Sequence, residues 1–155
     1  MPHIHEKIDF TVEVFIVYNN KVLLRKHDKY DIWLSVGGHI ELNENPNEAA
    51  IREVKEEVGI DIELYKEKDQ PLFKRDDYGE LIPPQFMDIY KINDTHKHIT
   101  LVYFAISSTD KIIQSTREES EELKWFSSEE LKDGKFGIRD EIRNYAQTAL
   151  NKLSN

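Results

Sequence analysis

GGHIELNENPNEAAIREVKEEVGI, residues 37–60, opens on a glycine pair and closes on a glycine, with a helix written between them. Between Pro46 and Val58, Ala50, Ile51, Val54 and Val58 fall on one stripe when residues are advanced by about 100° each, which predicts an amphipathic helix with that stripe toward the core. Its ends are marked too. Asn45 suits the N-cap, Pro46 the first helical position, Glu48 completes a capping box, and Gly59 fits the position just past the end. Glu53, Glu56 and Glu57 stand at i, i+3 and i+4, so they project from one side, next to the apolar stripe. Like charges at that spacing cost a few tenths of a kcal/mol, roughly, per pair. Such a patch calls for a cation, and carboxylate oxygens without sulfur point to magnesium or manganese rather than a calcium cage. Taken alone, a Glu-rich helix reads equally well as a solvated charged face.

Outward from this helix, residues 9–18 (DFTVEVFIVY) and KVLLRKH flank Asn19-Asn20 and predict a hairpin. WLSVGG predicts a short strand running into the glycine loop. Beyond the helix, IDIELYKE alternates like a strand and residues 66–84 read as mostly loop. QFMDIYKI and HITLVYFAIS form a second hairpin around NDTHK. ELKWF is a short strand, Ser127 caps SEEL, and residues 138–153 carry Ile142, Tyr145, Ala149 and Leu153 at helical spacing.

The chain has 155 residues, which predicts a single domain over 1–155. Twenty-one basic against thirty acidic residues give a net charge of −9, which disfavours nucleic-acid binding. No apolar run approaches the roughly 18 residues of a membrane span, and the N-terminus lacks a secretory layout, so the expected address is the cytoplasm. The absence of cysteine excludes disulfides, thiolate metal sites and cysteine nucleophiles. There is no P-loop and no Gly-x-Gly-x-x-Gly, so ATP-driven and dinucleotide-cofactor chemistry lack support.

The segment from Gly38 to Ile60 resembles the Nudix box, G-x5-E-x7-R-E-U-x-E-E-x-G-U with U aliphatic. Gly38, Glu44, Arg52, Glu53, Val54, Glu56, Glu57, Gly59 and Ile60 fill all its specified positions. The resemblance implies an α/β/α sandwich with a mixed β-sheet and a loop-helix-loop catalytic platform. It also implies a divalent-metal-dependent pyrophosphohydrolase, with Mg2+ as cofactor and Mn2+ as substitute, acting on a nucleoside diphosphate-linked or nucleotide-like small molecule. Carried over by position, Glu53, Glu56 and Glu57 are metal ligands, with the backbone carbonyl near Gly37 or Gly38 as a further one. Glu53 or Glu57 accepts the proton of the attacking water, Glu44 is an auxiliary acid, and Arg52 fixes a carboxylate rotamer. The alternative is a non-catalytic Nudix-fold nucleotide-binding or regulatory module. Asn43 stands where many relatives have glycine and is the next residue most tolerant of left-handed backbone.

Outside the box, Glu118, Glu119, Glu121 and Glu122 offer one more acidic group, of which Glu119 is singled out. His39, beside the glycine pair, is a candidate substrate contact. Tyr78 lies 18 residues beyond the box, a spacing resembling members that act on dinucleoside polyphosphates. His3 with His5, and His96 with His98, would align on one face of a strand and could ligate zinc, yet the sequence sets no acidic or thiolate companion beside them, and strand-edge histidines are the plainer reading. Damaged nucleoside triphosphates, sugar nucleotides, dinucleoside polyphosphates and pterin triphosphates remain open as substrates. The oligomeric state is open as well, a homodimer being the commonest arrangement among oligomers.

Overall fold

A computed structural model describes residues 4–27, 30–67, 71–114 and 122–155. In chain order the main elements are β1 (Ile8–Tyr18), β2 (Lys21–His27), β3 (Ile32–Leu34), β4 (Val36–His39), α1 (Pro46–Val58), β5 (Ile62–Leu64), β6 (Lys74–Arg75), β7 (Tyr78–Gly79), β8 (Phe86–Asn93), β9 (His96–Ser107), β10 (Glu122–Phe126), α2 (Ser128–Lys132) and α3 (Asp140–Leu153), with a 3-10 turn at Gly134–Phe136. The main sheet runs β10-β2-β1-β9-β5, with β3 on β2, β4 on β1 and β8 on β9. It is mixed, because β1 and β9 run parallel while their other neighbours are antiparallel. No helix among the described residues is long and apolar enough to cross a membrane.

Both hairpins form as their residues dictate. Asn19 and Asn20 take φ of 48° and 61°, the double left-handed turn that matches strand twist. β1 and β2 pair only at Val17↔Val22 and Tyr18↔Lys21 and then part. The predicted WLSVGG strand fills the opening in two pieces, since β3 pairs with β2, β4 pairs with β1, and Ser35 forms the corner. Arg25 Nε donates to the Ser35 carbonyl at 3.0 Å and braces that corner. The strand after α1 is shorter than its alternation suggests, and the loop that follows holds a two-stranded ribbon, β6–β7. Asn43 is not among the non-glycine residues with positive φ, so its backbone does not use the left-handed tolerance of asparagine.

Alternation along β1 divides the core into two layers. Val12, Val14 and Ile16 pack with Val36, Ala49, Ala50 and Val54 on the α1 side. Phe15 and Val17 pack with Ile142, Tyr145, Ala146 and Ala149 on the α3 side. Tyr145 also donates its hydroxyl to Asp88 Oδ2 at 2.8 Å, which ties α3 to β8.

Helix α1 carries the expected caps: Asn45 accepts from Glu48 N at 3.0 Å, Glu48 accepts from Asn45 N at 3.3 Å, and Gly59 closes the helix at φ 69°. Its buried arc departs from the apolar stripe. Ile51 is 46% exposed, whereas Ala49, Ala50, Glu53, Val54, Glu57 and Val58 are buried. The helix is rotated so that Glu53 and Glu57, rather than Ile51, turn toward the sheet.

Candidate active site

Two carboxylates buried in the face of a helix need a compensating charge, because taking an ion out of water costs several kcal/mol, roughly, unless it is paired. Glu53 is 3% and Glu57 4% exposed. Burial pushes the Glu53 carboxyl above its ordinary value, against the pull of Arg52. Glu57 Oε2 lies 3.4 Å from Arg25 Nη1, which reaches over from β2. Glu56 stands at the rim, its side chain 62% exposed, and shares Arg52 Nη1 with Glu53, at 3.2 Å and 3.0 Å.

Arg52 organises the entrance to the helix. Its Nε and Nη2 grip both oxygens of Glu44, at 2.9 Å and 2.6 Å, and Nη2 also donates to the His39 carbonyl at 3.0 Å. The paired fork holds the Glu44 carboxyl below its usual range and raises the guanidinium still further above its own. Glu44 in turn accepts from Glu41 N at 2.9 Å. The loop between β4 and α1 is thereby fixed at both ends by one ion pair, with Glu44 supporting the site rather than facing into it.

Gly38 sits against Glu53. A Cβ built on Gly38 would overlap the Glu53 carboxyl carbon and both its oxygens, so only glycine leaves the carboxylate where it lies. Glu53 thus lies against the Gly38 backbone, with Glu57 buried one turn further on and Glu56 at the rim, but the ligand atoms of these three carboxylates do not all lie within 4.8 Å of one another, as those of Asp9, His39 and His98 do. Arg25 lies beside Glu57, and Arg52 beside Glu53 and Glu56, so each carboxylate has a cationic partner.

The remaining expected residues lie elsewhere. His39 is next to Gly38 but on the opposite face of the sheet, where its Nε2 is 3.3 Å from Asp9 Oδ2. Tyr78 lies on the β6–β7 ribbon, 46% exposed, with the Arg75 guanidinium 4.7 Å from its ring centre. Glu119, with Glu118 and Glu121, falls outside the described residues; Glu122 opens β10 across from Lys26. Sequence reasoning missed Arg25, whose position in KVLLRKH gives no sign that it will meet Glu57, and it missed Glu13.

Glu13 lies on β1 on the α3 side of the sheet. Burial, reinforced by the nearby Asp88 charge, pushes its carboxyl up to about 7. A carboxyl that binds its proton more tightly in the folded than in the unfolded chain contributes most below its unfolded pKa, and that contribution is lost as pH rises through the folded value. Glu13→Gln is therefore expected to gain stability relative to the parent between pH 5 and pH 8, by up to about 3 kcal/mol. Urea unfolding at the two pH values measures this, and an equal difference at both would place the ionised Glu13 in a compensated environment.

A mixed sheet between helices, with a capped carboxylate helix set against a glycine corner, defines an α/β sandwich built around a loop-helix-loop platform. The NUDIX domain family model matches residues 8–145, and the chain belongs to that family. The crystal structure of a NUDIX-family hydrolase from Clostridium perfringens superposes with a TM-score of 0.82 at 36% identity, covering 94% of this chain and 98% of the other. Among curated proteins, dihydroneopterin triphosphate diphosphatase from Haemophilus influenzae is 40% identical over 79 residues, 50% of this chain and 48% of that protein. The Escherichia coli K12 protein of the same name is 49% identical over 41 residues, 26% of this chain and 27% of its own length. The matches thus span about half or less of these curated relatives.

Proposed function

We propose that this protein is a divalent-metal-dependent pyrophosphohydrolase that cleaves a phosphoanhydride in a nucleotide-like substrate, with pterin triphosphates as the substrate class of first choice. The observation that carries the reading is the burial of Glu53 against the Gly38 backbone, with Glu57 buried one turn further along the same helix. Glu53, Glu56, Glu57 and the Gly38 carbonyl would hold Mg2+, or Mn2+ in its place. When bound, the ion lowers the pKa of water and neutralises charge on the transferred phosphoryl oxygens.

The chain's own residues position and move the proton. Glu57, or Glu53 beside it, accepts the proton of the water that attacks phosphorus, while the bridging oxygen departs with the other phosphoryl group. Arg25 keeps Glu57 in place, and the Arg52–Glu44 pair holds the loop that aims the Gly38 carbonyl. The pterin assignment draws its support from the curated relatives, which are dihydroneopterin triphosphate diphosphatases. His39, Tyr78 and Glu119 remain candidate substrate contacts. We take the working form to be a cytoplasmic single domain, free of nucleic acid and able to form a homodimer.

The test is a panel assay with Mg2+ and with Mn2+, comparing dihydroneopterin triphosphate, nucleoside triphosphates, a sugar nucleotide and a dinucleoside polyphosphate. Metal-dependent release of pyrophosphate, fastest from the pterin triphosphate, is the expected result. Release fastest from another member would overturn the substrate assignment alone, and no release from any would overturn the hydrolase reading.

A further inference from the structure

The i, i+2 histidines of β9 acquire in the fold the acidic companion that the sequence does not place beside them. Asp9 is paired across the parallel ladder with His98, and Thr11, two residues on, is paired with His39 on β4. The three side chains come from adjacent strands and meet on the α3 side of the sheet. One ligand atom from each of Asp9, His39 and His98 lies within 4.8 Å of the others. Asp9 is fully buried and His98 is 7% exposed, while the His39 side chain is 11% exposed.

We propose that Asp9, His39 and His98 form a transition-metal site of the zinc type, distinct from the glutamate site on the other face. Two imidazoles and one carboxylate suit zinc, cobalt, nickel or iron(II) rather than magnesium. Three protein ligands leave a position for water or a small ligand. Bonds of about 2.0–2.2 Å set tetrahedral ligands roughly 3.3 Å apart, and Asp9 Oδ2 to His39 Nε2 is already 3.3 Å. The His98 ligand atom, within 4.8 Å of the other two, moves inward when the ion binds.

The surroundings are arranged as such a site needs. Asp9 Oδ1 accepts from Ile4 N at 3.1 Å and His5 N at 2.7 Å, and Oδ2 also accepts from Ile4 N at 3.3 Å, which fixes the carboxylate with Oδ2 beside the histidines. His98 Nδ1 is 3.3 Å from the Tyr90 hydroxyl, a contact of the kind that orients a ligating ring through its other nitrogen. His96 Nδ1 is 3.0 Å from the Glu6 carbonyl, which only accepts, so Nδ1 carries the proton. Its Nε2 is 3.2 Å from Asp9 Oδ2, so a third imidazole borders the same carboxylate.

The experiment uses the full chain, stripped of metal and held in excess Mg2+ so that the glutamate site is filled, and titrates it with Co2+. One ion per chain with visible ligand-field absorption is expected, together with a rise in melting temperature. His39→Ala and the gentler His98→Gln are expected to weaken cobalt binding by at least about 100-fold, and Glu57→Gln to leave it unchanged. Absence of binding in the parent would overturn the proposal in favour of a protonated Asp–His cluster. So would binding that survives both histidine substitutions, or that is lost with Glu57→Gln. A hydrolase assay plays no part, so failure here is separable from failure of the proposed activity.

Discussion

Glu57→Gln is expected to lower turnover by about three orders of magnitude while the protein remains folded. The amide keeps the size of the carboxylate but can neither accept a proton nor offset the charge of a divalent ion, and the loss of a positioned base typically removes about 10²–10⁴ in rate. Glu57 is buried and its oxygen faces Arg25 at 3.4 Å, so the substitution also takes a partner from that guanidinium. Arg25 retains its bond to the Ser35 carbonyl, which limits the cost to stability. Steady-state kinetics on the best substrate, with melting curves in Mg2+ and in chelator, separate the two effects. The parent should be stabilised by Mg2+ and the variant much less. Parental turnover in a folded variant would remove Glu57 from the mechanism.

Gly37→Ala and Gly38→Ala, one residue apart, are expected to fail in opposite ways. A Cβ at Gly37 would run into the Val12 carbonyl, a backbone atom of the central strand that cannot yield without breaking the β1–β4 ladder. That variant should lose stability by several kcal/mol, roughly, as overpacked backbone contacts do. A Cβ at Gly38 meets only the flexible end of Glu53. The fold should survive, but the carboxylate must swing away, and a displacement of about 1 Å can cost roughly 100-fold in rate. Thermal denaturation and kcat, measured on both variants, check the contrast. A fully active Gly38→Ala would show that Glu53 has no fixed place in the reaction.

The helix and its caps were legible because local rules write them. Asn45, Pro46, Glu48 and Gly59 each act within one turn of their own position, and the same is true of the Asn19-Asn20 turn. The rotation of α1 was not legible. Periodicity assigns burial to apolar side chains, so it set Ile51 inward and could not anticipate that the sheet would bury Glu53 and Glu57 instead. Arg25, Asp9 and Glu13 were hidden for a different reason: their partners are supplied by strand register between distant segments, which leaves no trace in spacing along the chain. The two-piece course of residues 32–39 is of this kind as well, since it depends on β1 and β2 diverging after two paired positions.

The parallel ladder at the centre of the sheet has a consequence for how the molecule is made. β1 and β9 are registered along their length from Ile8↔Lys97 to Val17↔Ile106, so the first strand waits for a mate synthesised almost ninety residues later. Closing so long a loop before any contact rewards it slows folding. On the ribosome the amino-terminal hairpin and the carboxylate helix emerge early, and the interior they will share is sealed only when β9 arrives.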